Sequence, residues 1–189
     1  MSNVEHVTAA KPKVGGAIYV APVGTALPTD ATTKPNQSFK SLGYISEDGL
    51  TNSNSPESEN IKAWGGDIVN TVTSERPDIF SYKLIEGLNI DVLKHVYGEA
   101  NVTGDLSTGI KVTVNSGETI EQCVIVDMVL KGKAVKRIVI PIAKLSELGD
   151  ITYKDNDNVG YEVTIQALPD KSENTHYEYI KEVTTTDEK

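Results

Sequence analysis

The chain has 189 residues, a formal net charge of −9 and a pI of about 4.8. A chain of this length can bury about 70% of the surface of its unfolded state, so neither a disulfide nor a metal is needed to hold one domain together. One cysteine excludes an intramolecular disulfide, the acidity argues against a surface that grips nucleic acid, and no apolar run is long enough to cross a membrane.

The first 48 residues predict an arm, a strand, a loop and a second strand. Residues 1–14 have few apolar side chains and are interpreted as an N-terminal arm. Residues 16–21 predict a short strand, and residues 22–36, rich in glycine and proline, predict a long loop. Residues 39–48 then predict a strand that leads into an unusual segment.

Residues 51–66 are predicted to form a long loop arm. Polar, strand-breaking residues come first, followed by Ile61, the chain's only tryptophan, Trp64, and the pair Gly65 and Gly66. A loop this long is uncommon in a compact domain unless it is functional. Two interpretations remain open: a solvated hairpin whose tryptophan packs back on its own sheet, and an arm that contacts a partner.

The remainder predicts strands around one helix over residues 89–97, which Asn89 can cap and Gly98 can end. Further strands are predicted at residues 67–75, 79–86, 110–114 (with its apolar residues inward), 120–130, 134–143 and 159–168. The strands at 120–130 and 134–143 are apolar on both faces. They therefore belong to a sheet that is packed on both sides or that meets another subunit.

The predicted fold class is mainly β: an antiparallel β-sandwich or bent-sheet barrel with one flanking α-helix and the long arm. Residues 15–169 would form the β domain, between the N-terminal arm and a polar C-terminal tail at residues 170–189. Aromatic residues within that tail could form a docking strand, a helix or a frayed end.

No pattern supports catalysis, a metal or a cofactor. His6, His95 and His176 are far apart in the sequence, and His95 is expected at the surface or its boundary. The alternating Asp and Asn residues at 155–158 lack the later oxygen ligands of a calcium loop and are expected to form a turn. Cys123 is expected to be a small buried hydrophobe. The densest basic cluster, Lys131, Lys133, Lys136 and Arg137, is expected on a solvated strand face and turn.

Three segments resemble the major tail protein, or tail tube protein, of long non-contractile-tailed (siphovirus) bacteriophages. They are GAIYVAPVGTALPTD at 16–30, FKSLGYISEDGL at 39–50 and IKAWGGDIV at 61–69, and the resemblance continues through residues 80–98. The resemblance implies a non-enzymatic virion protein of the phage tail tube fold. Its hexameric rings would stack into a hollow tube that conducts the genome into the host.

The resemblance also implies partners and contact residues. The partners are further copies of the chain, a tape measure protein, and tail completion or baseplate proteins. DNA would pass through without specific binding, no membrane would be involved, and assembly would occur in the host cytoplasm. The family's long loop reaches the adjoining ring. The candidate interface residues are Tyr44, Ile61, Trp64, Gly65 and Gly66, and the candidate lumen residues are Asp67, Glu162 and Gln166.

Two alternatives remain at this stage. One is a monomeric β-sandwich binding or adhesin module whose tryptophan arm contacts a carbohydrate or a protein. The other is a secretion-system tube protein, which would share the architecture and also form rings. The wording LGYISEDG and AWGGD favours the phage protein over the secretion-system protein.

Overall fold

The computed structural model describes residues 2–13, 16–130 and 134–183. These residues form thirteen strands and one α-helix, α1 (Ile90–Tyr97), with short 3₁₀ turns at Val4–His6 and Glu99–Asn101. The strands are β1 (Ala10–Pro12), β2 (Ile18–Pro22), β3 (Lys40–Ser41), β4 (Ile45–Asn54), β5 (Glu57–Lys62), β6 (Ile68–Glu75), β7 (Asp78–Leu84), β8 (Val102–Thr103), β9 (Lys111–Val112), β10 (Gln122–Leu130), β11 (Ala134–Leu148), β12 (Tyr161–Ala167) and β13 (Tyr177–Glu182).

One antiparallel sheet dominates, with the strand order β3-β2-β10-β11-β12-β7-β4. Strand β1 extends the β2 side of β10, and β13 pairs with the first half of β11, while β12 pairs with its second half. The mainly antiparallel β prediction with one helix is confirmed. The strands in the described part of the chain do not close into a barrel. The turn predicted at residues 131–133 lies outside the described residues.

The helix forms where the sequence predicts it. The side chain of Asn89 accepts a hydrogen bond from the backbone N–H of Asp91 at 3.0 Å, which caps the first turn. Gly98 ends the helix in a positive-φ conformation and donates its N–H to the carbonyl of Lys94 at 2.9 Å. The apolar face of α1 packs onto the sheet through Val92, Leu93 and Val96.

The two central strands are packed on both faces, as predicted. Val124 and Val126 of β10 and Ile138 and Ile140 of β11 face the main core under α1. The alternate residues face a second core on the opposite side of the sheet, which comprises Ala21, Phe39, Cys123, Ile125 and Val139, with Tyr177 and Tyr179 of β13 packed against it. The expectation that Cys123 is buried is confirmed.

Arg137 corrects the expectation of a solvated basic face. Its side chain is 0% exposed, and its Nε and Nη2 donate to the two carboxylate oxygens of Asp127 at 2.6 and 2.8 Å. Its Nη1 donates to the carbonyls of Asp30 and Thr33 at 3.0 and 2.7 Å. The guanidinium therefore fastens the long loop after β2 onto the sheet. Its burial is tolerated because four oxygen atoms accept its hydrogen bonds and two of them belong to a carboxylate.

Two strand predictions need correction. The expected inward strand at 110–114 shortens to β9, and Val114 is exposed, because β9 pairs with the two-residue strand β8 and then leaves it. Strand β11 continues to Leu148, beyond the predicted end at residue 143, because β12 pairs with its second half. In the C-terminal segment, the aromatic residues lie in β13, which pairs with β11.

Candidate functional site

The predicted loop arm is a β-hairpin. Strand β4 continues to Asn54, and β5 and β6 pair only with each other in a separate two-stranded sheet beyond the β4–β7 pair. Pro56 and Pro77 stand where the ribbon leaves the main sheet, and proline cannot donate a hydrogen bond to a sheet. Residues expected in the loop arm are therefore partly in strands β4 and β5, because every side chain of β5 meets solvent and no apolar alternation marks it. The strand predicted at residues 67–75 is present as β6.

The tip of the hairpin is a tight turn that presents Trp64 to solvent. The N–H of Ala63 donates to the carbonyl of Asp67 at 2.8 Å, and the N–H of Gly66 donates to the carbonyl of Ala63 at 3.0 Å. Gly65 and Gly66 have φ values of 113° and 100°, which side chains rarely adopt, so glycine is required by the turn itself. Trp64 is fully exposed and does not pack back on its own sheet.

The hairpin, residues 57–75, is called the arm from here on, and it carries several exposed apolar side chains. They are Ile61, Trp64, Ile68, Val69 and Val72. A lone two-stranded hairpin is at best marginally stable in water, and clustered apolar side chains on a surface mark a contact site. The arm is therefore the candidate contact surface of the chain, as the sequence predicts.

The root of the arm is fixed by Asp78, the first residue of β7. Its buried carboxylate accepts hydrogen bonds from Asn52 Nδ2 at 2.8 Å, Thr175 Oγ1 at 2.6 Å and His176 Nδ1 at 2.5 Å. Beside it, Arg76 Nε donates to Asn54 Oδ1 at 2.7 Å across the two strands that lead into the arm. One carboxylate thus joins both sides of the root to the segment that precedes β13.

The same contacts set the ionisation of Asp78. Burial acts to raise the pKa of this carboxyl, but the hydrogen bonds from Thr175, Asn52 and His176 outweigh it and hold the pKa below its ordinary value. Sequence reasoning missed this cluster because Thr175 and His176 are almost one hundred residues away along the chain. No local spacing could have signalled it.

The candidate interface residues fall into two places. Ile61, Trp64, Gly65 and Gly66 lie together at the outer half of the arm. Tyr44 lies away from them, just before β4, where its N–H donates to Glu86 Oε1 at 2.9 Å and its side chain is 70% exposed. Whether these residues contact another subunit stays a prediction.

The candidate lumen residues also lie in two separate places. Glu162 and Gln166 point to the same exposed, polar face of β12, where Glu162 stands in register with Lys83 of β7. Asp67 lies instead at the tip of the arm, where its carbonyl closes the turn. The face of β12 carries both signs of charge, and its position relative to a lumen stays a prediction.

His95 is buried, which corrects the expectation of a surface position. Its Nδ1 donates to Gln122 Oε1 at 2.6 Å, and its Nε2 accepts from the hydroxyl of Tyr82 at 2.9 Å. Burial lowers the pKa of His95, which favours the neutral ring that this pattern requires. The residue is a satisfied structural histidine that ties α1 to β7 and β10.

Across residues 2–13, 16–130 and 134–183, no three histidine, cysteine or acidic side chains are placed to hold a metal ion. Within the same residues, no helix is long and apolar enough to span a bilayer.

Comparison with known proteins gives one family. The family model described as phage tail tube protein matches residues 3–188, which is almost the whole chain. No curated protein was found to match the chain.

Proposed function

The chain belongs to the phage tail tube protein family, and we propose that six copies close into a ring and that these rings stack into the tube through which the genome leaves the particle. Members of this family are structural components of the virion that assemble into a tube and are not known as enzymes. The ring number, the stacking contact and the passage of DNA belong to the proposal.

One observation carries the proposal for stacking: the fully exposed Trp64 at the end of an arm that its own sheet does not cover. Burying an aromatic side chain between proteins is a strong source of binding free energy, and such residues often dominate an interface. A contact between the arm of one copy and a different surface of the next copy is head-to-tail. Repeated contacts of that kind produce open polymers as well as rings.

The lumen is proposed to be lined by the polar face that carries Glu162 and Gln166, with Asp67 facing it from the arm of an adjoining ring. Acidic side chains along the bore repel phosphates, so a duplex could slide without being held. Replacing Glu162 with lysine should slow DNA ejection and leave tubes intact. Equal ejection rates for the variant and the wild-type particle would remove the electrostatic part of the proposal.

The finer organisation is part of the same proposal. Residues 15–169 are proposed as the tube domain, with residues 1–14 and 170–189 as its flanks. A tape measure protein would fill the bore before ejection, tail completion or baseplate proteins would bind the two tube ends, and assembly would take place in the host cytoplasm.

The experiment that tests ring and tube formation is negative-stain electron microscopy of the purified protein over a concentration series. Six-fold rings or hollow tubes with a bore wide enough for duplex DNA support the proposal. Tubes with another rotational symmetry would refute the hexamer and leave the stacking contact in place. Monodisperse small particles at every concentration, both alone and with added tail initiator complex, would contradict spontaneous and initiated stacking alike.

A further inference from the structure

A groove with basic walls lies on the face of the sheet opposite α1. It has a volume of about 470 Å³ and lies between the end of the N-terminal strand, the loop after β2 and the edge of the sheet. Its walls include Lys13 and Lys34, and Asp127 lies at its base. Because the whole chain has a net charge of −9, a basic groove is the exception on this surface.

More lysines extend the positive charge around the groove. Lys11 lies in β1, and Lys13 directly follows the last residue of that strand. Because side chains two residues apart point to the same side of an extended chain, both lysines lie on one face. Lys181 of β13 reaches the same rim, where its Nζ lies 3.5 Å from Thr32 Oγ1. These four side chains come from three separate parts of the sequence, and the fold brings their positive charges close together.

Asp127 and Asp30 lie near the groove, and each already has partners within the chain. Asp127 forms the two-point ion pair with buried Arg137, and Lys13 Nζ lies 3.9 Å from one of its oxygens. The Asp30 carboxylate accepts the backbone N–H groups and hydroxyls of Thr32 and Thr33, and those hydrogen bonds lower its pKa. The Asp30 carboxylate keeps its negative charge, and the four lysines outnumber it, so the balance of these charges is positive.

Apolar surface is available between the charges. Tyr19, Pro35 and Phe39 line the groove beneath the lysines. Phe39 is almost fully buried, while Tyr19 and Pro35 are half-buried. A ligand for this groove should combine negative charge with an aromatic or aliphatic side chain.

The arm has that composition. Its sequence has four acidic residues and a single lysine, Lys62; the acids are Glu57, Glu59, Asp67 and Glu75. It also carries the exposed Trp64 and Ile61. The arm does not occupy the groove of its own chain, since every residue of β5 and Trp64 are exposed. The matching segment must come from a second copy.

We propose that the basic groove formed by Lys11, Lys13, Lys34 and Lys181 is the docking site for the acidic, tryptophan-bearing arm of another copy of this chain. The inference rests on the proposed function, because it names the surface that the arm reaches when copies stack. Glu57 and Glu59 face the lysines, and an apolar side chain of the arm covers Tyr19 and Pro35. Salt should weaken the contact, because its charges lie at a solvated rim.

Charge exchange tests the pairing directly. One variant carries Lys13→Glu and Lys34→Glu, the second carries Glu57→Lys and Glu59→Lys, and the third combines all four changes. Each double variant should raise the protein concentration needed for tube formation by about tenfold or more, because like charges then meet across the contact. The combined variant restores opposite charges and should polymerise close to the wild-type concentration. The matched control, Lys154→Glu with Lys171→Glu, reverses two exposed lysines elsewhere and should change nothing.

A binary measurement keeps the inference testable if the wild-type chain forms no tubes. In an equimolar mixture of the two double variants, the unchanged arm of the first faces the unchanged groove of the second, and the two reversed surfaces also match. Sedimentation should show association in the mixture that neither variant shows alone. Tube formation and this pairwise association are separate readouts, so failure of stacking and failure of the groove assignment can be told apart.

Three results would overturn the assignment. The double variants could polymerise like the wild type, or the combined variant could stay as defective as its parents. Alternatively, the wild type could retain duplex DNA at physiological salt and lose it with Lys13→Glu and Lys34→Glu while tubes form normally, which would make the groove a nucleic-acid contact. Circular dichroism of every variant should match the wild type, since the exchanged side chains are exposed or half-exposed.

Discussion

The central hairpin β10–β11 and the arm β5–β6 are both antiparallel strand pairs, and they differ in what covers them. The central pair has a core on each face, one under α1 and one under the loop after β2. The arm has solvent on each face, and its apolar side chains are exposed. The central pair is covered within the chain, and the arm is not.

The comparison separates folding from assembly. Residues that stabilise the central pair should decide whether the chain folds, and residues of the arm should decide whether folded chains associate. Asp78 holds the root of the arm, where the arm joins the main sheet, so changes there should affect both folding and association. The following substitutions test this division, beginning with the largest expected loss of stability.

The strongest test of the central pair is Asp127→Ala. This change leaves the guanidinium of Arg137 buried without its carboxylate, and removing one partner of a buried ion pair costs about 3–5 kcal/mol. The unfolding free energy, measured by urea titration followed with circular dichroism, should fall by that amount. Lys136→Ala breaks the half-exposed pair with Glu178 and should cost about 1 kcal/mol or less. Equal losses in the two variants would show that Arg137 finds other partners.

One substitution made in both hairpins gives the most direct comparison. Ile140 of β11 is fully buried, and Ile140→Ala should lower the unfolding free energy by about 2–5 kcal/mol through lost burial and a cavity. Ile61 of the arm is 48% exposed, and Ile61→Ala should cost about 0.5 kcal/mol or less. Similar losses from the two variants would mean that the arm is packed in the isolated protein.

Asp78→Asn tests the root and adds a dependence on pH. The hydrogen bonds to this carboxylate are charge-assisted, so the variant should lose about 1–3 kcal/mol at neutral pH. Because the folded-state pKa lies below the unfolded value, the carboxylate stabilises the fold above about pH 4, and this contribution disappears as the pH falls further. The stability difference between wild type and variant should therefore shrink on acidification.

The control for the root is Asp150→Asn, which changes an exposed carboxylate and should alter stability by about 0.5 kcal/mol or less. A stability gap for Asp78→Asn that stays constant from neutral pH to pH 3 would contradict the charged role of Asp78. Tube formation by the wild type and by Asp78→Asn should also be compared under conditions in which the same fraction of each protein is folded. A defect there would show that the root also sets the direction of the arm.

Trp64→Ala should have the smallest effect on stability and the largest on assembly. The side chain is fully exposed, so the change in unfolding free energy should stay within about 0.5 kcal/mol. Tube formation, scored by electron microscopy and pelleting, should be lost or shifted to higher protein concentration. A Tyr153→Ala variant removes another exposed aromatic and should leave assembly unchanged. Normal tubes from Trp64→Ala would exclude the arm tip from the stacking contact.

The sequence predicted those parts of the fold whose pattern depends on local burial. Phe80, Tyr82 and Leu84 alternate because one face of β7 is buried, and the helix could be placed from Asn89 and Gly98. The strands around Val124 and Ile140 were recognised because they are apolar on both faces. The family resemblance found in the first half of the chain is confirmed over residues 3–188.

The sequence could not predict features that depend on long-range partners or on the absence of burial. The first strand of the arm, β5, falls in the predicted loop because a strand without a buried face has no apolar period. Arg137 looked solvated because its partners, Asp127 and the carbonyls of Asp30 and Thr33, are brought to it only by the sheet and the long loop. The groove has no sequence signal for the same reason, since Lys13, Lys34 and Lys181 are distant in the chain.

The exposure of Trp64 also determines what fluorescence can report. It is the chain's only tryptophan, so intrinsic emission excited at long wavelength comes from one position. That indole already meets water in the folded subunit, so unfolding should leave its emission maximum almost unchanged. Thermal unfolding followed by tryptophan fluorescence would therefore show almost no transition although the sheet unfolds. Burial of the indole between copies should shift the emission to shorter wavelength, so the same signal would follow polymerisation in real time without a label.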